Sequence, residues 1–191
     1  MAGVIQAAFS LFDTPIGRCA IVWRGTAVIG SALSEVSNER LRASLQRRFP
    51  EAEEAPPPPE IEAVIEAVRR LLNGVAEDFA GIVLQLDGLS DFERAVLEET
   101  FRIPAGETRT YGEIAAALEA PGAARAVGAA LGRNPIPIII PCHRVLGSNG
   151  KSGGFSAPGG ASTKLKMLEI ERAKRGSQPE LFEHLPWQAK A

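Results

Sequence analysis

The sequence has few residues of the kinds that bind metals or form disulfides, with two cysteines and two histidines among 191 residues. Cys19 and Cys142 cannot build a disulfide scaffold for a chain of this length, and two free thiols are typical of the reducing cytoplasm. Cys19 has no second thiol and no histidine within the first 88 residues, so the usual ligands of a tetrahedral zinc site are missing there. The sequence therefore predicts a cytoplasmic protein without a metal centre.

Long hydrophobic runs are also missing. No stretch of about 18 apolar residues occurs, as a membrane-spanning helix would need. The first residues do not combine a cationic region with an apolar segment, as a secretion signal does. These absences argue against membrane spanning and secretion. With 45% hydrophobic residues, the chain can bury a core unaided, as one large domain or two small ones.

The net charge of −2 is unfavourable for a protein that binds nucleic acid, but the charges are unevenly distributed. Residues 100–176 contain 11 Lys or Arg and five Glu, a net charge of +6, whereas the rest of the chain carries −8. Such asymmetry is expected if one face binds a polyanion and another face is kept away from it. A solvated charge pattern without function is the alternative.

The first 88 residues show patterns of packing and no candidate for chemistry. Short β-prone runs separated by turn residues predict an antiparallel meander, followed by a helix, an acidic proline-rich linker, an amphipathic helix and one further strand. The meander covers residues 9–12, 17–23 and 27–33, the helices 38–49 and 61–72, the linker 50–59 and the last strand 82–86. We predict an N-terminal α/β domain over residues 1–88.

From Ser90 onward the pattern changes to helices. Ser90 with Glu93 is a capping-box pair, and a second pair, Thr110 with Glu113, opens the next helix. A proline-glycine break ends that helix, and a third helix over residues 123–131 begins almost at once. Two helices joined by a tight turn that contains glycine are the helix-turn-helix pattern.

The third helix is almost bare of long side chains. Ala124, Ala126 and Gly128 are among the small residues that cover it, and Arg125 is the single long side chain in its first two turns. Small residues let a helix backbone approach another surface closely. That surface is either a neighbouring helix or a DNA groove, into which the Arg125 guanidinium would then be inserted.

Cys142 and His143 are adjacent and follow an apolar run between prolines. Ile138–Ile140 is short and β-branched, so it predicts a buried extended segment that ends in a turn at the cysteine. Cys142 is then either a small buried hydrophobe or a nucleophile. His143 and Arg144 favour the nucleophile, because polar neighbours of this kind lower the pKa of a thiol below its free value of about 8.5.

The segment Ile140-Pro-Cys-His-Arg-Val145, preceded by Asn134-Pro135 and followed by a glycine-rich loop, resembles the active-site signature of the O6-alkylguanine-DNA alkyltransferases, or methylated-DNA–protein-cysteine methyltransferases. Tyr111, Arg125 and Asn134 also occur in the order of that family. The resemblance is strong over residues 90–174 and loose before them. It implies an α+β fold: an N-terminal α/β domain with an antiparallel sheet, then a mostly helical domain over residues 89–175 with the helix-turn-helix and the active-site cysteine, then a tail over residues 176–191.

The resemblance implies DNA repair by a single, irreversible transfer of an alkyl group from O6-alkylguanine to Cys142, with O4-alkylthymine as a further candidate substrate. The partner would be double-stranded DNA, bound through the helix-turn-helix in the minor groove. Arg125 would fill the space left when the damaged base flips out of the duplex. The protein would act as a monomer, without cofactor, metal or membrane.

The resemblance also assigns roles to particular residues. His143 would act as a base through a water molecule, and Glu171 would hold the imidazole. Tyr111 would donate a hydrogen bond to a ring nitrogen of the leaving guanine, whereas Asn134 would organise the turn at the cysteine. The residues expected to bind substrate or DNA are Arg125, Ser156, Ala124, Ala126, Gly128, Arg144 and Lys164.

The loop after the cysteine departs from the family pattern. Phe155 stands where the family commonly has tyrosine, and the segment Ser156–Gly160 is longer than expected. Ser156 would lie near the departing oxygen, and the loop length would govern which alkyl groups fit.

Two other classes stay open. One is a lesion sensor of the same scaffold, and such sensors lack the cysteine. The other is a hydrolase with a Cys, His and Glu set, in which histidine is more often remote from cysteine in sequence.

Overall fold

A computed structural model describes residues 5–148 and 155–173. Three strands, β1 (Ala7–Thr14), β2 (Gly17–Arg24) and β3 (Ala27–Ala32), form the predicted antiparallel meander. A fourth strand, β4 (Glu53–Glu54), pairs parallel to β1 at the sheet edge. The predicted linker over residues 50–59 does not continue the preceding helix, as expected, but its backbone also pairs with β1 at Glu53–Glu54, whose side chains are exposed.

The sheet lies between two helices, α1 (Asn38–Arg48) and α2 (Pro59–Leu72), close to the predicted ranges. Alternate residues of a strand point to opposite faces, and in β2 the residues of both faces are buried. Ala20 and Val22 pack with the buried leucines of α1. Cys19 and Ile21, which alternate with these two residues along the strand, pack with the apolar stripe of α2 on the other face. Both faces of the sheet are thus covered.

The predicted strand over residues 82–86 is reduced to a single bridge. Leu84 pairs with Val28 in parallel orientation, and two backbone hydrogen bonds of 2.9 Å surround this bridge. One of them joins the Val28 N–H to the Val83 carbonyl, and the other joins the Gln85 N–H to the Val28 carbonyl. The segment therefore touches the edge of the sheet at one point.

The second half of the described chain contains four α-helices. They are α3 (Asp91–Phe101), α4 (Tyr111–Ala117), α5 (Ala124–Gly132) and α6 (Gly160–Ile170). Both predicted capping boxes are present, Ser90 with Glu93 and Thr110 with Glu113. The helix-turn-helix is α4 and α5, and α3 packs against both. The α+β fold class is confirmed.

The segment before the cysteine is buried, as predicted, but it is not extended. Ile138–Ile140 lies in a turn in which Ile138 has a φ of +76°. The flanking prolines lack the N–H groups that a strand would need for pairing, so the segment closes on itself instead. A single 3-10 turn, Cys142–Arg144, follows. The next residues, β6 (Val145–Leu146), pair parallel with β5 (Arg109–Thr110) and tie the turn to the start of α4.

One hydrophobic cluster extends across the predicted domain boundary. It contains Phe12 and Ile65 from the first half and Val96, Ile140 and Met167 from the second. The division at residues 88 and 89 stays a prediction, and the tail over residues 176–191 lies outside the described residues. Within the described ranges, no helix combines the length and apolar character needed to cross a bilayer.

Candidate active site

Cys142 lines a cavity of about 700 Å³ that is open to the surface. Its side chain is 8% exposed, because the 3-10 turn that carries it packs against α3 and α6. The wall of the cavity comes from three parts of the chain. These are β3 and α1 with the residues after them, the segment Leu131–Pro137, and the loop residues Phe155, Ser156, Ala157 and Pro158.

Asn134 closes the turn that leads to Cys142. Its Oδ1 accepts a hydrogen bond of 3.0 Å from the Ile136 N–H, and its Nδ2 donates one of 2.9 Å to the Ile140 carbonyl. The same Ile140 carbonyl accepts a hydrogen bond of 2.8 Å from the Cys142 N–H, and the nearby Asn134 amide lowers the pKa of the thiol. One amide thus joins the start of the turn, its end and the candidate nucleophile.

Next to Cys142, His143 and Arg144 share one carboxylate, Glu171, at the end of α6. His143 Nε2 lies 2.9 Å from Glu171 Oε1. Arg144 donates to both carboxylate oxygens, with distances of 2.8 Å from Nε and 2.9 Å from the guanidinium, and to the Ile103 carbonyl at 2.6 Å. All three side chains are buried. A shared carboxylate explains how two polar residues can be buried beside the cysteine.

Burial and charge decide the protonation of this group. Burial lowers the pKa of His143 despite the adjacent Glu171, so the imidazole is neutral at pH 7. Burial opposes ionisation of Glu171, but the hydrogen bonds from His143 and Arg144 and the charge of Arg144 lower its pKa, to about 2. Because Arg144 is always charged, it is the cation that keeps Glu171 ionised. The neutral His143 then donates from Nε2 to Glu171, and its Nδ1 has no hydrogen-bond partner in the described part of the chain.

The expectation of a low thiol pKa was wrong. Burial raises the pKa of Cys142 above its ordinary value of 9.0, although Asn134, Lys164 and two backbone N–H groups act in the opposite direction. The neighbours in sequence do not lower it because Arg144 is paired with Glu171 and His143 is uncharged. Cys142 is therefore a thiol at neutral pH that needs a base.

Arg144 and Lys164, which the resemblance placed among the residues that bind substrate or DNA, are in the interior. Lys164 is 1% exposed, and its Nζ donates to the Val145 carbonyl at 2.7 Å and lies 5.8 Å from the centre of the Tyr111 ring. Burial lowers the pKa of Lys164 to about 8. Neither cation is accessible to a DNA phosphate, so both belong to the support of the site.

Tyr111 is the first residue of α4 and is half-buried. Burial raises the pKa of Tyr111, and the nearby Cys142 raises it further. The Tyr111 hydroxyl therefore keeps its proton at neutral pH. Gly128 of α5 faces the ring, and a Cβ added there would lie 3.7 Å from a ring carbon. The two helices of the helix-turn-helix therefore meet close to the candidate site.

The bare helix α5 has one buried side and one side that is open to solvent and carries Arg125. Val127, Ala130 and Leu131 are buried against the core. Arg125 and Ala126 are exposed, whereas Ala124 and Gly128 are half-buried. Some small residues thus serve packing and others form an open surface next to Arg125.

Four loop residues within the described range line the cavity, Phe155, Ser156, Ala157 and Pro158. Ser156 is exposed and its Oγ donates to the Gly132 carbonyl at 3.2 Å, at the end of α5. Phe155 and Ala157 are half-buried. Gly153 and Gly154 lie outside the described residues.

The N-terminal half also contributes to this site, which the sequence did not reveal. Ser31 on β3 and Arg48 at the end of α1 hydrogen-bond to the carbonyls of Pro135 and Pro137. Neither residue belongs to a motif, and the two contacts join residues 106 and 87 positions apart. No sequence signal would have found them.

No group of three or more His, Cys, Asp or Glu that could hold a metal ion occurs within residues 5–148 and 155–173. His184 lies outside these ranges. The absence of a metal centre stays a prediction.

The fold and the site define an α+β protein with a cysteine at the wall of a cavity, beside a helix-turn-helix. Comparison with known proteins specifies the class. Residues 91–173 match the family model described as the 6-O-methylguanine DNA methyltransferase, DNA binding domain. The methylated-DNA–protein-cysteine methyltransferase of Mycobacterium tuberculosis is 35% identical over 92% of this chain and 98% of its own length. The protein of the same name from Mycobacterium leprae is 37% identical over 90% and 96%.

A solved structure agrees with these relatives. The crystal structure of Mycobacterium tuberculosis OGT in complex with DNA superposes with a TM-score of 0.71 at 35% identity, and covers 86% of this chain and 92% of that one. The chain belongs to the methylated-DNA–protein-cysteine methyltransferase family.

Proposed function

We propose that this protein repairs DNA by transferring the alkyl group of O6-alkylguanine to Cys142 in one irreversible step. The observation that carries the proposal is the arrangement at the cavity: a thiol at its wall, followed in the chain by a neutral imidazole that a buried carboxylate orients. Family membership supplies the substrate class. O4-alkylthymine is a further candidate substrate.

The first step is the ionisation of Cys142. His143 is held in the tautomer with its proton on Nε2, because Glu171 accepts that proton's hydrogen bond. Its Nδ1 is then a base, and we propose that it takes the thiol proton through a water molecule. Glu171 stabilises the imidazolium that forms, as the third residue of a catalytic triad does. The raised pKa of the thiol makes this base necessary.

The second step is displacement at the alkyl carbon. The thiolate sulfur forms a bond to that carbon, the bond from the carbon to O6 breaks, and its electron pair leaves with guanine. The Tyr111 hydroxyl, which keeps its proton, donates to a ring nitrogen where negative charge develops, and Ser156 at the cavity rim can bind near O6. The thioether product does not hydrolyse, so each molecule reacts once and needs no cofactor.

DNA would bind through α4 and α5 in the minor groove. The damaged base must leave the duplex for the sulfur to reach the alkyl carbon, which costs a few kcal/mol of stacking and pairing. Arg125 is exposed on α5 beside small residues and would occupy the vacated space. The net charge of +6 over residues 100–176 favours phosphate contacts. The free state of both described cysteines is in keeping with a cytoplasmic protein, and we propose a monomer.

The experiment is intact-mass spectrometry after incubation with duplex DNA that contains O6-methylguanine. We expect one added methyl group per chain, on the peptide with Cys142 and not on that with Cys19. DNA binding without transfer would indicate a lesion sensor. Release of product beyond one equivalent per chain would indicate a hydrolase.

A further inference from the structure

Two side chains of the N-terminal half, Ser31 and Arg48, hydrogen-bond to the segment that leads to Cys142. Ser31 Oγ donates to the Pro137 carbonyl at 2.6 Å, and the Ser31 N–H donates to the Pro135 carbonyl at 3.0 Å. The Arg48 guanidinium donates to the Pro135 carbonyl at 2.8 Å and to the Ser31 carbonyl at 3.1 Å. We call this set of four hydrogen bonds the N-terminal clamp.

Local packing brings the end of α1 to this position. The ring of Phe49 lies against Gly30, and a Cβ added at Gly30 would be 2.2 Å from a ring carbon. Only glycine leaves this space, so β3 can accept Phe49 directly beside Ser31. The Arg48 guanidinium then lies 5.2 Å from the centre of the Phe49 ring, which supports it in the orientation that reaches both carbonyls.

The segment Pro135–Pro137 is held by hydrogen bonds to its carbonyl groups. Pro135 and Pro137 have no N–H, so each offers only its carbonyl oxygen to a backbone partner. The clamp uses both carbonyls, which flank Ile136. The N–H of Ile136 donates to Asn134 Oδ1 at 3.0 Å, so the segment held by the clamp is hydrogen-bonded directly to the Asn134 side chain.

Asn134 connects the clamped segment to the turn that carries Cys142. Its Nδ2 donates to the Ile140 carbonyl at 2.9 Å, and the same carbonyl accepts a hydrogen bond of 2.8 Å from the Cys142 N–H. The Asn134 amide also lowers the pKa of the Cys142 thiol. We propose that Ser31 and Arg48 are positioning residues for the alkyl transfer, which hold the Asn134 amide in place against Cys142 through the carbonyls of Pro135 and Pro137. This inference rests on the proposed function in taking Cys142 as the nucleophile.

The test uses the full chain with both side chains of the clamp removed, Ser31→Ala with Arg48→Met. The matched control is Arg47→Met, which removes the same charge from an exposed neighbour on α1. Two rates are measured: reaction with free O6-benzylguanine, which needs no DNA, and alkylation of Cys142 by iodoacetamide across pH. Cys19, which is fully buried, is an internal control because it reacts with iodoacetamide only if the fold opens.

We expect the double variant to react about tenfold more slowly with O6-benzylguanine, the scale of loss caused by a small misplacement of reacting groups. The iodoacetamide midpoint of Cys142 should move to higher pH, because a displaced Asn134 amide no longer lowers the pKa of a thiol that stays buried. Cys19 should remain unmodified and the control should behave as wild type. An unchanged rate and midpoint in the double variant would overturn the proposal.

Opening of the fold has the opposite signature, since a solvated Cys142 would titrate at lower pH and Cys19 would react. In that case Arg48→Met alone decides, because it removes the exposed half of the clamp and leaves the buried Ser31 in place. A slower reaction of this variant supports the clamp, and a wild-type rate overturns it. Failure of the wild-type protein to take a methyl group from O6-methylguanine in duplex DNA would refute the proposed function, and the iodoacetamide profiles would still decide the clamp.

Discussion

Glu171 Oε1 lies 2.9 Å from His143 Nε2, in a buried position where the carboxylate is ionised and the imidazole is neutral. This pair fixes which ring nitrogen carries the proton. It therefore decides which nitrogen is free to accept one, and it links the end of α6 to the turn with the cysteine.

The variant Glu171→Gln tests this pair. We expect the rate of methyl transfer at pH 7 to fall about 100-fold, within the range that general base catalysis contributes. The free energy of unfolding should fall by about 3 kcal/mol, because the buried Arg144 loses its counter-charge. Single-turnover kinetics and denaturant unfolding measure the two effects. Glu169→Gln, an exposed change on the same helix, is the control and should alter neither.

Acid should destabilise the protein through the same carboxylate. The pKa of Glu171 is about 2 in the folded protein against an ordinary 4.5, so its contribution to stability is present above pH 4.5 and is lost as pH falls from there towards 2. Proton linkage makes this contribution about 3 kcal/mol. The lowered pKa of His143 acts in the same direction, starting below pH 6.5. Urea unfolding from pH 7 to 3 should show a shallower loss in Glu171→Gln, and equal slopes would contradict the assignment.

The pH dependence of the reaction should reveal the base. In the wild type we expect the rate with O6-benzylguanine to be level from pH 7 to pH 8 and to fall only below pH 6.5, where the buried imidazole begins to be protonated. In His143→Gln the thiol must ionise by itself, so the rate should be low and should rise through pH 9.0 and above. A level profile in the variant would exclude His143 as the base.

Removal of the arginine on α5 should separate base flipping from chemistry. Arg125→Ala should slow repair of duplex DNA about 100-fold, since the flipped state loses a stabilisation of a few kcal/mol. Reaction with free O6-benzylguanine needs no flipping and should keep its rate. Arg47→Ala, an exposed position on α1 away from the helix-turn-helix, is a charge-matched control. Equal losses on both substrates would mean that Arg125 supports the pocket instead.

The loop should select alkyl groups by size. Ala157 is half-buried and lines the cavity together with Cys142. Ala157 and Pro158 also accept hydrogen bonds from Gly160 and Thr163 at the start of α6, so substitution is a cleaner test than a change of loop length. We expect Ala157→Leu to lower benzyl transfer about tenfold more than methyl transfer, a steric effect of the size seen for one or two methylenes in a pocket. An unchanged ratio of the two rates would show that the loop faces solvent.

Local sequence determined much of this protein. The Ser90 and Thr110 capping boxes, the proline-glycine break and the alternating strands depend on residues a few positions apart, and they form as predicted. The hexapeptide around Cys142 predicted the protein family, because its six residues are contiguous in the chain. Each of these features is decided by short-range geometry, which composition and spacing describe well.

The electrostatic state of the site was decided by tertiary structure. Whether Cys142 is a thiol or a thiolate depends on burial and on charges from α6, and both are consequences of packing between segments distant in sequence. The same packing placed Arg144 and Lys164 in the interior and brought Ser31 and Arg48 to the carbonyls before the cysteine. Free energies of this kind depend on what surrounds a group in space, and neighbours in sequence do not determine that.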